Sequence, residues 1–376
     1  MRNIKKPMVK RELTLPFYIR TGFFFIGLIS LTAVLYIAQD IIVPLIFSVI
    51  IAVLLQPVVD FFVHWKINRV LAIIITLALT FVIILAFCVL LFSQLSHFSE
   101  SWPALVQKFT ELINHVIMWA ADYFDIKAKY INEWVSKSLR RLLDTGSLEI
   151  GHTLISVGSG ILVLLLIPVY TFLILYYQPL LLEFIQKIFK KESHKDVDSI
   201  VTQIKTVVQR YLTGLLIEVV IVSVLSIAVL LILGIDYAIL LGIIGGLLNM
   251  IPYIGGIIGV ALPMMVAMVT KPTGWYPLYI LILYYIIQLI DNNYIVPKIV
   301  ASKVKINALF SIIVVLAGNA MWGISGMFLS IPLLAIAKLI FDHIDSLKPW
   351  GFLLGDTMPP VIELKSVVLK FKKKKL

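Results

Sequence analysis

The stretch that decides the fold runs from residue 235 to residue 269 and reads IDYAILLGIIGGLLNMIPYIGGIIGVALPMMVAMV. It is almost entirely apolar, and its roughly 35 residues are too many for one membrane span, because a helix of about 20 residues already crosses the hydrocarbon core. Asn249, Pro252 and several glycines interrupt it near the middle. The pattern predicts an apolar hairpin whose helix is broken halfway.

A second stretch, residues 306–340, has the same plan and reads INALFSIIVVLAGNAMWGISGMFLSIPLLAIAKLI. In both stretches an asparagine near the middle, Asn249 or Asn319, is followed by glycines and then by a proline. Each stretch follows one complete predicted span, at residues 212–233 and 275–296. The unit of a span plus a broken hairpin therefore occurs twice, with a chance likeness between two glycine-rich apolar stretches as the alternative.

The whole chain has the composition of a membrane protein. Of its 376 residues, 60% are hydrophobic and 14% are charged, and the mean hydropathy is +1.01, whereas about 25% of the residues of a soluble domain are charged. The one cysteine, Cys88, allows neither an intramolecular disulfide nor a cysteine-based metal site. A soluble enzyme, a disordered chain and a secreted disulfide-rich protein are excluded. We predict an all-α polytopic membrane protein with about eight membrane segments.

The apolar blocks and the polar stretches between them divide the chain into five regions. They are an N-terminal cytoplasmic segment with three spans (1–93), an extracytoplasmic amphipathic section (94–152), the fourth span with cytoplasmic amphipathic helices (153–211), a transport core of two span-plus-hairpin repeats (212–346) and a basic cytoplasmic tail (347–376). The first four spans are predicted at residues 21–38, 41–59, 70–92 and 154–177, with Pro44 in the first turn of the second span, where proline is tolerated.

The net charge of +11 is distributed in a way that fits a membrane protein. Most Lys and Arg residues lie in short tracts between the apolar blocks, and the positive-inside rule places these tracts, with both termini, in the cytoplasm. The run Lys372–Lys375 is expected to lie on the anionic lipids of the inner leaflet. Nucleic-acid binding is the weaker interpretation, because no aromatic residues interleave that run.

This sidedness gives the two hairpins opposite orientations. After four spans the chain is inside and the fifth span takes it out, so the hairpin at 235–269 enters the membrane from the outside. The next span brings the chain back in, and the hairpin at 306–340 enters from the inside. Two units of opposite orientation are the inverted-repeat signature of secondary transporters. Pairs of short full crossings in place of re-entrant hairpins would give the same sidedness, and this alternative stays open.

The hairpin breaks are candidate substrate positions. Backbone that is not helical at membrane depth leaves N–H and C=O groups without partners, and it is tolerated only inside protein or beside a watery cavity. Packing of small residues is the alternative role for the glycines at 242, 246, 255 and 259. The residues assigned to the breaks and the proline after the second repeat's span are Pro252, Gly255, Gly256, Gly259, Pro263, Gly323, Gly326, Pro332 and Pro297.

Polar residues inside the apolar blocks are the candidate transport and coupling residues. Glu218 lies in the fifth span and Asp291 near the end of the corresponding later span, so each repeat has one carboxylate, which would suit proton or sodium coupling. Ion pairs of these two with Arg210 and Lys298 are the alternative, purely structural interpretation. The asparagines Asn249, Asn292 and Asn319 complete the set.

No enzyme site is predicted. Residues 323–326 spell the Gly-x-Ser-Gly string of intramembrane serine proteases, but that chemistry needs a histidine base on a facing span. The six histidines all fall in loops or at membrane edges: His64, His97, His115, His152, His194 and His343. The chain has no G-x-x-x-x-G-K-[ST] phosphate loop and no His/Asp/Glu cluster with metal-ligand spacing. An ATP-driven pump, a cofactor and a metal site are therefore not expected.

Three pieces of the sequence resemble the autoinducer-2 exporter (AI-2E) family, also called the PerM-like permeases. They are Pro252-Tyr-Ile-Gly255 through Pro263, Asp291-Asn-Asn-Tyr-Ile-Val-Pro297, and Gly323-Ile-Ser-Gly326 through Pro332. The Asp-to-Pro piece is the most specific, and the order of spans and hairpins agrees over nearly the whole chain up to Leu347. The resemblance implies a bacterial inner-membrane protein with Pro252, Gly255, Gly256, Asp291 and Pro297 as its functional positions.

Some members of this family are described as exporters of the quorum-sensing signal autoinducer-2, and others as Na⁺(Li⁺)/H⁺ antiporters. We therefore predict a secondary transporter that exports a small polar molecule such as autoinducer-2, with or without coupling to an ion gradient. The alternatives are an antiporter with no organic substrate and, from another class, a membrane scaffold that binds partners through its amphipathic sections. The expected partners are the substrate and the lipid bilayer, and the sequence leaves a homo-oligomer open.

Overall fold

The computed structural model describes residues 16–124, 165–188, 194–251, 254–300 and 306–356. These residues form ten helices, of which six are long and apolar enough to cross a membrane. The prediction of an all-α polytopic membrane protein is therefore confirmed. Several predicted features lie wholly or partly outside the described residues: the first 15 residues of the N-terminal segment, the extracytoplasmic section from residue 125 onward, the start of the fourth span, Pro252, and the tail with Lys372–Lys375.

The helices follow one another without intervening strands in the described residues. In chain order they are α1 (Phe17–Ile37), α2 (Gln39–His64), α3 (Arg69–Phe124), α4 (Leu165–Ile188), α5 (His194–Ile232), α6 (Ala238–Asn249), α7 (Ile254–Thr270), α8 (Trp275–Ile290), which continues as a π-helix (Asp291–Val300), α9 (Ala308–His343) and α10 (Lys348–Leu354).

Several helices are longer than the sequence patterns indicate. α5 joins the predicted cytoplasmic amphipathic helix and the fifth span in one element of 39 residues, because it contains no proline to interrupt the backbone hydrogen bonds. α3 also continues beyond the third span and is 56 residues long in total, with Pro103 inside it. α2 begins at Gln39, so Pro44 lies inside the helix and not in its first turn.

α6 and α7 fold back on each other and form the first folded-back pair. Midway along the pair, a Cβ on Gly259 would lie 3.4 Å from the Cα of Gly245. At the turn, a Cβ on Gly255 would overlap the carbonyl group of Leu248, so the chain can reverse this tightly only with glycine there. Gly255, Gly256, Gly259 and Pro263 thus lie in α7, where the glycines permit close contact, and the break itself is narrower than predicted.

α9 contains the second reversal, at Trp322 and Gly323. Trp322 (φ −134°, ψ 18°) and Gly323 (φ 60°, ψ −140°) are not helical, and they separate the arms 308–321 and 324–343, which form the second folded-back pair. The hydroxyl of Ser330 lies 2.9 Å from the carbonyl oxygen of Val314, whereas sixteen residues of continuous helix would span about 24 Å. Gly326 and Pro332 lie in the second arm, and Pro297 lies in the π-helix.

Close packing of α5 against α6 depends on two further glycines. A Cβ on Gly246 would lie 2.9 Å from the carbonyl oxygen of Val219, and one on Gly242 would lie 2.8 Å from the backbone nitrogen of Ile227. Because real Cβ atoms do not approach so closely, side chains at either position would push the two helices apart. Packing of small residues therefore accounts for these two glycines.

The two folded-back pairs meet at the turn of the first. Ile251, in that turn, forms one buried cluster with Val315 and Met327, which come from the two arms of the second pair. The reversal in the second pair contacts α1, where the indole Nε1 of Trp322 donates a hydrogen bond of 3.1 Å to the carbonyl oxygen of Leu35. The turn of the first pair is thus in direct contact with both arms of the second pair.

At the other end of the first pair, the turn between α5 and α6 contacts α3. The Tyr237 hydroxyl donates a 2.7 Å hydrogen bond to the Ser101 hydroxyl, and the Tyr237 ring packs edge-on against Phe98. The next turn lies close by, because a Cβ on Gly234 would be 3.6 Å from the Lys271 Nζ. Both ends of the first pair are therefore on the same side of the helix bundle.

Candidate functional site

A cavity of about 690 Å³ lies among α5, the two folded-back pairs and α8. Its walls are largely apolar, and its polar groups come from positions that are far apart in the sequence. The polar side chains that line it are Tyr211, Glu218, Ser226, Asn249, Tyr284, Tyr285, Gln288, Asp291, Asn292 and Ser311. A cavity of this size is in the range that holds small organic ligands.

Three of the predicted transport residues meet in this cavity. The Nδ2 atom of Asn249 donates a hydrogen bond of 2.9 Å to Oε1 of Glu218 and one of 3.0 Å to Oδ2 of Asp291. The Nε2 atom of Gln288 lies 3.4 Å from the same Oδ2 atom. We call Glu218, Asn249 and Asp291 the carboxylate cluster. Each member comes from a different helix: α5, the end of α6, and the junction of α8 with the π-helix.

Both carboxyl groups of the cluster are buried and have no basic partner in the described residues. Glu218 is 5% exposed and Asp291 is 2% exposed. The two ion pairs considered as alternatives are not formed: Arg210 is exposed at the surface, and the Lys298 Nζ lies 5.5 Å from the centre of the Tyr294 ring. The Oδ1 atom of Asp291 is buried without a hydrogen-bond partner. Buried charges in proteins are normally paired, so this atom marks a candidate ligand position.

α5 contributes a stripe of residues that sequence reasoning found only in part. Tyr211, Leu215, Glu218, Val222 and Ser226 all line the cavity, and their spacing of three or four residues places them on one face of the helix. Glu218 was identified from its charge alone. Its polar ends, Tyr211 and Ser226, could have been found by counting helical steps of three or four residues from Glu218 in both directions.

α8 presents a similar face, whose members precede Asp291 by helical steps. Tyr284 lies seven residues before Asp291 and Gln288 lies three residues before it, so all three side chains point toward the cavity. The α-helix changes to a π-helix at Asp291. Such π segments are uncommon and occur frequently at functional sites.

The remaining predicted residues divide into two groups. Asn292, Gly255, Gly256 and Gly259 line the same cavity as the carboxylate cluster. Asn319, the counterpart of Asn249 in the second repeat, is exposed and does not line it. The other residues away from the cavity lining are Pro263, Pro297, Gly323, Gly326 and Pro332. Pro252 lies outside the described residues.

Asn249 reaches the two carboxyl groups because α6 ends there. Pro252 disfavours helical backbone at the residue before it, so the helix stops short of Ile251, and Asn249 is the last helical residue. Gly246, one turn earlier, brings this end of α6 against Val219, next to Glu218. The end of α6 and its close packing at Gly246 therefore position the amide between the carboxyl groups.

The chemistry of the cluster favours a positively charged ligand. Among the described residues no group of three or more His, Cys, Asp or Glu could hold a metal ion. The cavity lining contains two carboxyl groups and no Lys, Arg or His. Protons or a monovalent cation would neutralise these carboxyl groups. Ionisable side chains within membrane spans usually mark such a pathway.

Apolar spans around a cavity that contains buried carboxyl groups are typical of polytopic membrane transporters. The chain belongs to the AI-2E transporter family, whose family model matches residues 25–346. The resemblance identified from the three motif pieces is thereby confirmed. Since this is a family of transporters, the chain is a membrane transporter and not an enzyme, and it has a small-molecule substrate.

Two relatives extend over most of the chain, and a third covers part of it. The putative transport protein YrrI of Bacillus subtilis (strain 168) is 25% identical over 312 residues, which cover 82% of this chain and 87% of YrrI. The AI-2 transport protein TqsA of Escherichia coli (strain K12) is 25% identical over 334 residues, 85% of this chain and 90% of TqsA. The putative transport protein YueF of Bacillus subtilis (strain 168) is 32% identical over 114 residues, 30% of each chain.

Proposed function

We propose that this chain is a secondary transporter of the bacterial cytoplasmic membrane that moves a small polar organic molecule, with the carboxylate cluster as its coupling site. One observation carries the proposal: the buried carboxyl groups of Glu218 and Asp291 share one amide donor and face a cavity large enough for a substrate. Coupling requires a group whose charge changes during the cycle. These two are the only carboxyl groups among the residues that line the cavity.

Coupling follows from the energetics of a buried carboxylate. An ionised group at the centre of a membrane helix costs roughly 2.5–3.5 kcal/mol on insertion scales. A bound proton or cation removes that charge and favours conformations in which the cluster is closed off from water. Loss of the ion restores the charge and favours conformations open to water on one side. If the cavity can switch from one side of the membrane to the other only while the cluster is neutral, substrate movement is coupled to the ion gradient.

The arrangement of the two folded-back pairs supports an inverted repeat of re-entrant hairpins. The turn of the first pair lies near Tyr211, at the predicted cytoplasmic end of the fifth span, whereas the turn of the second pair contacts Leu35, near the predicted outer end of α1. We propose that the pairs enter the membrane from opposite sides, with both termini in the cytoplasm and the tail at Lys372–Lys375 on the anionic inner leaflet.

Autoinducer-2 is the first substrate candidate, because TqsA is an AI-2 transport protein and covers most of this chain. Export is the direction we propose for it. A Na⁺(Li⁺)/H⁺ antiporter is the second candidate function, since carboxylate and amide oxygens are ligands that hard cations accept. Both functions use the same cluster and differ in what else occupies the cavity.

The test is the collapse of a preset pH gradient in inside-out membrane vesicles that contain the protein. Autoinducer-2, sodium and lithium are added in turn to vesicles with the wild-type chain, with Asp291→Asn and with Asp236→Asn. Asp236 is an exposed carboxylate in the turn between α5 and α6 and serves as the matched control. We expect Asp291→Asn to insert normally and to lose coupled transport, and Asp236→Asn to behave as wild type.

Each addition distinguishes a function. A response to autoinducer-2 that Asp291→Asn lacks supports coupled export through the cluster, and a response to sodium or lithium alone supports the antiporter. Full transport by Asp291→Asn would contradict the assignment of the coupling site. Labelled-substrate flux in the same vesicles reveals uncoupled permeation if the pH gradient does not respond.

A further inference from the structure

The charge of the cavity restricts the substrates that it can hold. Its ionisable lining groups are Tyr211 and Glu218 from α5 and Tyr284, Tyr285 and Asp291 from α8 and its π extension, while α6, α7 and α9 contribute none. Every charge that these groups can adopt near neutral pH is therefore negative. An anionic substrate would add like charge to a partly desolvated site, which is unfavourable.

One atom of the site lacks the partner that its burial demands. Oδ2 of Asp291 accepts the Asn249 amide and lies near the Gln288 amide, but Oδ1 is buried with no donor in contact. Asp291 lines the cavity and is 2% exposed. Because Asp291 lines the cavity, an occupant of the cavity can supply the missing donor, and a charged donor forms the strongest hydrogen bond to a carboxylate.

The cavity is too large and too apolar for an inorganic ion alone. Its volume is about 690 Å³, within the range of pockets that bury small organic ligands. The cavity walls include the aliphatic side chains of Leu281 and Val260 and the rings of Tyr284 and Tyr285. Aromatic rings also attract cations through their faces. The site thus combines one carboxylate anchor with an apolar and aromatic wall.

We infer that the cavity binds a small organic cation: a protonated amine that carries an apolar or aromatic body, with its ammonium group on Oδ1 of Asp291. This inference rests on the proposed function and names the substrate class of the same site. It places protonated amines ahead of autoinducer-2, the first candidate named above from the relative TqsA, and ahead of bare sodium or lithium ions.

The inference also specifies how the substrate is coupled to protons. When Asp291 holds a proton in the empty protein, arrival of the ammonium group displaces it, so that one cation enters the site as one proton leaves. The carboxylate is never neutralised by both at once. Amine and proton then exchange because they compete for the carboxylate oxygens of Asp291, and no second ion site is needed.

The test uses three probes that share one body and differ in charge: phenethylammonium, 2-phenylethanol and phenylacetate. Their binding to the purified full-length protein in detergent is measured by titration calorimetry at neutral pH, in two buffers of different ionisation enthalpy that report proton release. We expect phenethylammonium to bind with release of a proton and the two other probes to bind at least about tenfold more weakly, as loss of a charged hydrogen bond implies.

Two variants connect the result to the site. Asp291→Asn should weaken phenethylammonium at least about tenfold and abolish the proton release, whereas Asp345→Asn, at an exposed carboxylate outside the cavity, should change neither. The comparison of the three probes on the wild-type protein needs no variant, so it remains decisive if Asp291→Asn does not fold.

Equal binding of 2-phenylethanol, unchanged binding to Asp291→Asn, or binding of sodium or autoinducer-2 in the absence of amine binding would each overturn the inference. Flux in proteoliposomes separates it from the proposed function. Amine binding without amine or proton flux would contradict coupled transport and leave the ligand class standing, whereas autoinducer-2 flux without amine binding would support transport and overturn the ligand class.

Discussion

Glu218 and Asp291 lie on different helices, yet they share a single hydrogen-bond donor, the Nδ2 atom of Asn249, at 2.9 and 3.0 Å. Both carboxyl groups are buried, and no cation in the described residues compensates them. A change in the charge of either carboxyl group therefore alters the hydrogen bonds that the Asn249 amide donates to both groups. Asn249 is also the last residue of α6, so the cluster adjoins the turn of the first folded-back pair.

The shared amide leads to the first prediction. Asn249→Ala removes both hydrogen bonds and leaves two buried carboxyl groups without this donor. Hydrogen bonds to charged groups contribute about 1.5–3 kcal/mol each, so we expect the coupled transport rate to fall by at least about tenfold. The rate is measured as the substrate-dependent collapse of a pH gradient in vesicles.

Asn319→Ala is the matched control for this variant. The sequence places Asn319 in the position of the second repeat that corresponds to Asn249, but its side chain is exposed and away from the cavity lining. Asn319→Ala should therefore transport at the wild-type rate. An equal loss in both variants would show that the asparagines act through the repeat and not through the carboxylate cluster.

A second prediction concerns the turn of the first folded-back pair. Gly255→Ala places a methyl group on the carbonyl of Leu248, which is backbone and cannot move aside. We expect the turn to open, with a loss of about 1–3 kcal/mol, as for other overpacked positions, and a lower midpoint of thermal unfolding in detergent.

Gly245→Ala tests whether the effect is specific to the turn. Its new Cβ would meet nothing closer than the Gly259 carbonyl oxygen at 3.8 Å, which is an ordinary contact. Gly245 belongs to the same glycine-rich segment as Gly255 and also lines the cavity. The two positions therefore differ in their close contacts and not in the composition of the segment around them. A midpoint that falls equally in both variants would contradict the explanation by close contact.

A third prediction separates a functional from a structural role for Asp291. A structural carboxylate stabilises the fold through its partners, but one oxygen of Asp291 has none. Asn can keep the acceptor toward Asn249 while it removes the buried charge. We therefore expect Asp291→Asn to lose coupled transport while its thermal stability at neutral pH stays equal or rises by up to about 2 kcal/mol, because the substitution removes the desolvation cost of a buried carboxylate that has no basic partner in the described residues.

Thermal unfolding and pH-gradient collapse, measured on the same preparation, check this prediction. Glu183→Gln is a suitable control, because Glu183 forms an exposed ion pair of 2.7 Å with Lys187 and such pairs contribute little. Loss of both stability and transport in Asp291→Asn would identify Asp291 as a structural residue.

The sequence predicted the class of the protein and the members of the cluster for reasons that can be stated for each residue. Glu218 and Asp291 were found because an ionisable group in an apolar span is costly and therefore rarely accidental. The two reversals were found because segments of 35 residues exceed one span and contain helix-breaking residues at their middle. Local chemistry was enough in each case.

What the sequence could not give was contact between distant segments. Asn249 and Asn319 look equivalent along the chain, and only the packing of Gly246 against α5 brings one of them to Glu218. Gly255 and Gly259 were assigned to an open break, whereas they let two helical arms touch, because a missing side chain serves either purpose. The bounds of α5 were misjudged, since a change from polar to apolar composition does not by itself end a helix.

A fourth prediction concerns the sidedness of the first folded-back pair. Cysteines are introduced at Asp236, Thr273 and Asp345 in a Cys88→Ser background and labelled in intact cells with a reagent that does not cross the membrane. We expect the cysteines at 236 and 273 to react from outside, because the two turns lie close together, and the one at 345 to react only after the membrane is opened. Labelling of 236 and 273 from opposite sides would contradict the fold-back and the proposed inverted repeat.

The last prediction compares two glycines that both have open space around them. A Cβ at Gly323 or at Gly27 would meet no atom within 4 Å, so crowding cannot distinguish Gly323→Ala from Gly27→Ala. The backbone conformation distinguishes the two positions. Gly323 has φ of 60° and ψ of −140°, which alanine adopts only with strain, while Gly27 is inside α1.

Gly323→Ala should therefore destabilise the protein by about 1–3 kcal/mol, and Gly27→Ala should leave it unchanged or stabilise it by up to about 1 kcal/mol, since alanine is the better helix former. The midpoints of thermal unfolding of the two purified variants in detergent measure the difference, and its sign is the result that matters. If both midpoints moved in the same direction, the reversal at Trp322 and Gly323 would not depend on the left-handed backbone, and contacts between the arms, such as Ser330 with Val314 and the cluster of Val315 and Met327, would have to hold the second folded-back pair.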